Sequence, residues 1–254
     1  MIKISIIGSG NVAQHLIQAF AKSTQVTVVQ VLARNRSAIA QLIEASKIIS
    51  DYKLLVKADL YIIAVSDDAI AAVSEQLPFK NEYVVHTSGS IPLEALSDNN
   101  RKGVFYPLQT FTKGKEVNFR TIPLCLESQF IYDYDLLKRV GNAISDKLYT
   151  IGSEQRKALH VAAVFVNNFT NHMYSIAAAI CEENRISFDI MKPLLQETAE
   201  KALLLSPEAA QTGPAIRHDQ TTIEQHLSFL EVPLQREIYQ LITKSIQDNN
   251  GTKL

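Results

Sequence analysis

The sequence predicts an α/β protein, with a doubly wound parallel-sheet domain over residues 1–152 and an all-helical carboxyl-terminal domain over residues 153–254. Three observations predict it. Short apolar runs alternate with helical segments through residue 151, the pattern of a parallel sheet covered by helices on both faces. A glycine-rich turn follows the first run and opens a helix. From residue 154 to residue 183 neither proline nor glycine interrupts a helical pattern. The composition fits that class. The chain has 254 residues, 46% hydrophobic and 20% charged, which excludes disordered, collagen-like and disulfide-scaffold proteins. Lys and Arg number 25 against 26 Asp and Glu, a net charge of −1, so no basic field recruits nucleic acid or acidic lipid. Cys125 and Cys181 match no metal or redox spacing and are expected to stay reduced. No apolar stretch reaches membrane-spanning length, and no signal-peptide pattern precedes the first run. The expectation is a cytoplasmic protein with no metal and no membrane or nucleic-acid partner.

Residues 1–7 are apolar except for Lys3 and Ser5 and lead into Gly8-Ser9-Gly10-Asn11-Val12-Ala13. Val12, Leu16, Ala19 and Phe20 then recur at helical spacing. Strand, GxGxxA turn and helix in that order form a dinucleotide fingerprint, the mark of a Rossmann domain. Gly8 permits the tight turn, Gly10 removes the Cβ that would block a pyrophosphate, and Ala13 lets the helix lie close to the sheet. Free N–H groups of the helix start, from Ser9 to Val12, would face the phosphates. The second strand, residues 26–32, ends in Ala33-Arg34-Asn35-Arg36. An NAD site places an acid there for the ribose hydroxyls. No acidic residue occurs anywhere in residues 1–43, and Arg34 and Arg36 with Asn35 would welcome a 2′-phosphate. The expected cofactor is NADP(H), the alternative for the arginines being a solvated loop.

The run 59–65 is a buried strand, and Ser66-Asp67-Asp68 opens a helix over 69–76. Loops at the carboxyl ends of parallel strands face the cofactor crevice, so Val65 and Ser66 are assigned to the ribose and nicotinamide, while Asp67 reads as a helix cap. The strand 83–85 ends in His86-Thr87-Ser88-Gly89-Ser90, which brings an imidazole and hydroxyls to the same edge. Ser88 joins the cofactor set and His86 the catalytic set. Val104-Phe105 lead into Tyr106-Pro107-Leu108-Gln109-Thr110, with Gln109 as a substrate contact. Strands over 122–126 and 147–151 flank a helix around 135–145, and Ser153 is the expected cap of the helix that follows.

In the helix 154–183, His160, Asn167 and Asn171 are seven and four residues apart and share a face at 100° per residue. Their apolar neighbours imply a partly buried polar stripe that needs partners. These are a substrate or cofactor amide, or a neighbouring helix. His160 and Asn167 are the catalytic candidates on this stripe, while His172 points away. Helices over 188–205, 221–230 and 233–248 follow. The turn 211–219 offers Arg217 as an anchor for a substrate carboxylate or phosphate, with Asp219 available to cap the next helix. The terminal DNNGTKL is expected to fray.

The strings IIGSGNVA, ADLYIIAVSDDAI, VVHTSGS, YPLQTF, ALHVAAVFVNNF and QTGPAIRHDQTTIEQHL, in that order, resemble a bacterial family. Its members join a Rossmann-like domain to a helical domain of unknown function and are often described as NADP oxidoreductases of the deazaflavin-dependent type. More distantly the arrangement resembles pyrroline-5-carboxylate reductase, ketopantoate reductase and the 6-phosphogluconate dehydrogenase group. That resemblance implies a 6-phosphogluconate-dehydrogenase-like carboxyl-terminal domain, a homodimer and a small-molecule substrate. Several of those relatives use a lysine four residues before an asparagine on the long helix, but here Ala163 and Val164 stand four before Asn167 and Asn168. This chain also has Tyr106 where the family usually shows His, and His218 where it shows Gly. The functional expectation is hydride transfer from NADPH to a small carbonyl or imine, a keto acid among the options. The alternative is a non-catalytic NADP(H)-binding regulator or redox sensor.

Overall fold

The computed structural model describes residues 1–250. The chain forms two compact units, residues 1–168 and 169–254. Eight strands form one sheet: β1 (Ile2–Ile7), β2 (Val26–Leu32), β3 (Ile48–Ile49), β4 (Leu60–Ile63), β5 (Tyr83–His86), β6 (Arg101–Pro107), β7 (Leu124–Ser128) and β8 (Leu148–Thr150). Their spatial order is β3-β2-β1-β4-β5-β6-β7-β8. The first six run parallel, β7 pairs antiparallel to β6, and β8 runs parallel to β7. The chain reverses its winding between β1 and β4, and a ligand crevice opens at such a switch point. The strand runs are apolar because both faces are covered. Ile4, Ile6, Leu60, Ile62, Val85 and Phe105 are essentially sealed.

α1 (Asn11–Ala21) buries Ala13, Leu16, Ile17 and Phe20 against the sheet, the face the spacing predicted. A 3-10 turn, Asp67–Ala69, precedes α2 (Ile70–Glu75), so Ser66 caps the turn rather than an α-helix. α3 (Ile131–Asn142) begins earlier than expected. α4 (Ser153–Ala163) is capped by Gly152, not Ser153. Ser153 is instead its first residue, and its hydroxyl donates to the Glu127 carboxylate at 2.9 Å. Arg156, only 1% exposed, pairs with the same carboxylate and donates to the Ile91 carbonyl. A buried guanidinium needs such partners. It ties α4 to the end of β7, and His160, four residues on, projects from the same face.

The long helix runs unbroken from Ser153 to Glu183 but changes type within it. Residues Val164–Phe169 form a π-helical segment before α5 (Thr170–Glu183). Hydrogen bonding from i to i+5 inserts an extra residue into the turn. The 100° spacing that put His160, Asn167 and Asn171 on one face therefore fails across it. Asn167 and Asn171 are exposed, as are Phe165 and Val166, so the expected half-buried polar stripe is not formed within this chain.

The second unit holds α6 (Lys192–Leu204), α7 (Pro207–Ala210), α8 (Gln220–Phe229) and α9 (Pro233–Asn250). Asp219 caps α8, its carboxylate accepting the Thr222 N–H at 3.1 Å. α9 continues through Asp248 to Asn250, where fraying was expected. The last four residues of that tail lie outside the described residues. His218 adopts a φ of +52°, a left-handed conformation that a side chain disfavours and glycine does not. That is the physical reason a glycine suits this position in the resembling family. Replacing His218 by Gly is predicted to stabilise the protein by roughly 0.5–1 kcal/mol in urea denaturation.

At the end of β5, His86 is fully buried, and its Nδ1 accepts the Ser88 N–H at 3.1 Å. Burial, helped by the nearby Arg156 charge, pushes its pKa down from 6.5 to about 4. The unfolded chain then binds a proton that the folded chain refuses. Stability contributed by neutral His86 is complete above pH 6.5 and falls as pH drops toward 4, by roughly 3 kcal/mol in all. Denaturation midpoints measured across that window should show this loss in the wild type, and His86→Asn should flatten it.

Candidate active site

A cleft of about 420 Å³ lies at the carboxyl ends of β1, β2 and β4. Gly8, Ser9, Gly10, Asn11 and Val12 form one wall, Arg34 and Asn35 another, and Val65 and Ser66 a third. Two glycines make it open. Gly8 has a φ of +133°, and a Cβ there would stand 2.1 Å from the Ala64 carbonyl oxygen, so the β1–α1 turn can lie against β4 only with glycine. A Cβ on Gly10 would meet nothing within 4 Å, because that position faces open space. The first turn of α1 carries no acid and receives no side-chain cap, so its N–H groups remain available to an anion. The Asn11 side chain is engaged elsewhere, donating to the Phe111 carbonyl at 2.9 Å. The Ser9 carbonyl accepts from the Gln14 side chain at 2.9 Å.

No Asp or Glu stands among the residues lining this cleft. Arg34, at the end of β2, occupies the place where an acid would contact ribose hydroxyls. Arg36 begins a 3-10 turn, Arg36–Ala38, exposed and off the cleft wall. Tyr52 completes the wall. Burial raises its phenol pKa, and the Arg34 charge opposes that rise, so ring and guanidinium lie within electrostatic reach. Nothing in local spacing marked Tyr52, because the long connection between β3 and β4 brings it here. The set fits a phosphorylated dinucleotide: a glycine cradle, an uncapped helix start, and a guanidinium without a competing carboxylate.

A second cluster forms where β5 and β6 end and α4 passes. Tyr106 Oη and His160 Nδ1 are 3.1 Å apart, with the rings 6.1 Å apart in an edge arrangement. Gly89 makes room for both, since a Cβ there would lie 2.5 Å from His160 Nδ1 and 2.7 Å from Tyr106 Cζ. Burial pushes the Tyr106 phenol up to about 12, with Cys125 and Asp67 adding to the rise and Arg156 opposing it. Asp67 follows Ser66 directly, so Tyr106 feels the loop that ends β4. Ser88 is buried, and its hydroxyl oxygen accepts the Ser90 and Ile91 N–H groups at 3.0 Å each, closing the turn that presents Gly89.

The structure thus gathers Gly8 to Val12, Arg34, Asn35, Val65 and Ser66 in one cleft. It sets His160 beside Ser88–Ser90 but with Tyr106 as its partner, which sequence reasoning had not assigned. The signal was the position of Tyr106 at the carboxyl end of a parallel strand. His86 lies beneath the turn, out of solvent. Gln109 is exposed, its side-chain oxygen accepting the Thr110 N–H at 2.8 Å. Asn167 is exposed at the π segment, and Arg217 is exposed in the second unit.

Two family models match the chain, and the second begins inside the sheet-bearing unit. Residues 3–89 match the family model "NADP oxidoreductase coenzyme F420-dependent", and residues 122–246 match "Domain of unknown function (DUF2520)". No curated protein matches. A crystal structure of a candidate NADP oxidoreductase from Bacteroides fragilis is 39% identical, with a TM-score of 0.86, over 97% of this chain and 98% of that one. A Thermotoga maritima protein shares 20% identity and a TM-score of 0.76 over 98% and 99%. A reductive aminase from Aspergillus terreus, solved with NADPH and ethyl levulinate, shares 13% and 0.70 over 99% and 95%. These last two likenesses establish the fold alone. Identity with the Bacteroides protein over nearly the whole of both chains makes this chain a member of that same family, in which a Rossmann domain of the NADP oxidoreductase type is joined to a DUF2520 helical domain.

Proposed function

We propose that the chain is an NADPH-dependent reductase acting on a small carbonyl or imine compound, a keto acid among the candidates. The observation that carries this reading is Arg34 at the end of β2, facing a glycine-walled cleft without a carboxylate. Bound NADPH supplies the hydride. The chain's own residues bind and orient: the Ser9–Val12 N–H groups take the pyrophosphate, and Arg34, with Asn35, takes the 2′-phosphate through charge-assisted hydrogen bonds, Arg36 adding its charge from the exposed turn that follows. Val65, Ser66 and the Ser88 turn border the ribose and nicotinamide. His160 serves the reacting group, and Asn167 and Gln109 orient the substrate by hydrogen bonding. His86, neutral and enclosed, holds the Ser88 turn rather than exchanging protons with substrate.

We further propose a homodimer. In the second unit Leu203 and Leu204 are 86% and 84% exposed, and Ile190, Leu194 and Leu241 are also bare, more apolar surface than a monomer usually presents. Among the described residues no helix is long and apolar enough to cross a membrane. Both cysteines are buried and unpaired, which suits the reducing cytoplasm. The second reading, a non-catalytic NADP(H) sensor, draws its support from Ala163 and Val164 standing where relatives carry a catalytic lysine.

Fluorescence titration should show NADPH binding at least about tenfold tighter than NADH. Arg34→Ala/Arg36→Ala should weaken NADPH binding about 10–100-fold and leave NADH unchanged, the scale of one or two charge-assisted hydrogen bonds. Equal affinity of the wild type for the two nucleotides contradicts the assignment. Light scattering after size exclusion should give twice the chain mass, and Leu203→Glu/Leu204→Glu should return it to one.

A further inference from the structure

The reductase reading leaves the proton unassigned, since the lysine of the distant relatives is absent. We propose that Tyr106 is the proton donor, supplied through His160, and this rests on the reductase reading above. Four observations carry it. Tyr106 Oη and His160 Nδ1 are within hydrogen-bond distance at 3.1 Å. The phenol is nearly buried while the imidazole is partly exposed, so one end of the pair is dry and the other reaches solvent. Gly89 is held to a hydrogen by both rings, so the turn after β5 is shaped around the pair rather than merely near it. Tyr106 also sits at the carboxyl end of β6, one of the parallel strands whose ends face a crevice, within electrostatic reach of Asp67 in the loop after β4.

The step balances without a further reactant. Hydride adds to the carbonyl carbon, and the C=O π pair moves onto oxygen. That oxygen takes the Tyr106 proton, Tyr106 Oη takes the proton from His160 Nδ1, and the imidazole recovers one from solvent at Nε2. One hydride and one solvent proton are consumed, and an alcohol leaves. Burial keeps the phenol protonated far above neutrality, so the donor is present across the working range. Arg156, buried one turn before His160 on α4, carries the charge that opposes the rise in the Tyr106 pKa and so favours the transient phenolate. General-acid help of this kind is worth typically about 10²–10⁴ in rate.

The test uses the whole protein and a panel of 2-oxo acids and cyclic imines, with NADPH binding followed by fluorescence and turnover by NADPH absorbance. Tyr106→Phe should keep NADPH affinity and lose about 10²–10⁴ in kcat on the carbonyl substrates. His160→Gln should lose less, and the double variant should be no slower than Tyr106→Phe alone, because the two act in series. Gly89→Ala, which wedges a methyl between two intact rings, should lower kcat as well. Tyr106→Phe turning over within about threefold of the wild type, or two losses that multiply in the double variant, overturns the assignment while leaving the reductase reading intact. A wild type that binds NADPH and reduces nothing in the panel overturns the reductase reading, and this assignment with it.

Discussion

One close approach underlies the nucleotide site: the β1–α1 turn at Gly8 lies so near the Ala64 carbonyl that a methyl group would overlap it. Because the turn is seated there, α1 begins directly above the ends of β1 and β4 and aims its unsatisfied N–H groups into the gap where the sheet changes its winding direction. The same seating fixes the end of β2 beside that gap, through the Gly8 N–H donated to the Leu32 carbonyl at 2.9 Å. Arg34 therefore arrives at the cleft as a consequence of backbone packing. Its chemistry then selects the ligand. A lone guanidinium in a wall without carboxylates favours a dianionic phosphate over neutral hydroxyls.

A second constraint governs the chemical end. The buried Arg156–Glu127 pair, joined by Ser153, locks the start of α4 to the end of β7. Taking one partner away would strand the other charge in the interior, so this anchor is costly to disturb and holds the helix at a fixed height. One turn later the helix delivers His160 to Tyr106, and the turn after β5 yields space through Gly89. The rigid anchor and the missing Cβ together produce a hydrogen-bonded pair that neither residue's sequence neighbourhood announces.

The nucleotide half of the molecule was legible because its signals are local. Gly8, Gly10 and the apolar face of α1 lie within fifteen residues of one another, and Arg34 follows its strand directly. The α/β class and the Asp219 cap were legible for the same reason. The chemical half was not. Tyr52 reaches its place through the connection between β3 and β4, and the strand-end position of Tyr106 did not show that His160 would meet it, so only tertiary packing reveals these contacts. The stripe from His160 to Asn171 relied on uniform helical spacing, which the π segment Val164–Phe169 breaks. Ser153 looked like a cap, but a carboxylate from β7 drew its hydroxyl away.

Two fragments isolate recognition of the adenosine 2′-phosphate from the nicotinamide and from turnover. Calorimetric titration with 2′,5′-ADP and with 5′-AMP measures it directly. 2′,5′-ADP should bind at least about tenfold more tightly, with an advantage that shrinks as salt screens the guanidinium. Equal affinities, or a preference for 5′-AMP, would contradict it.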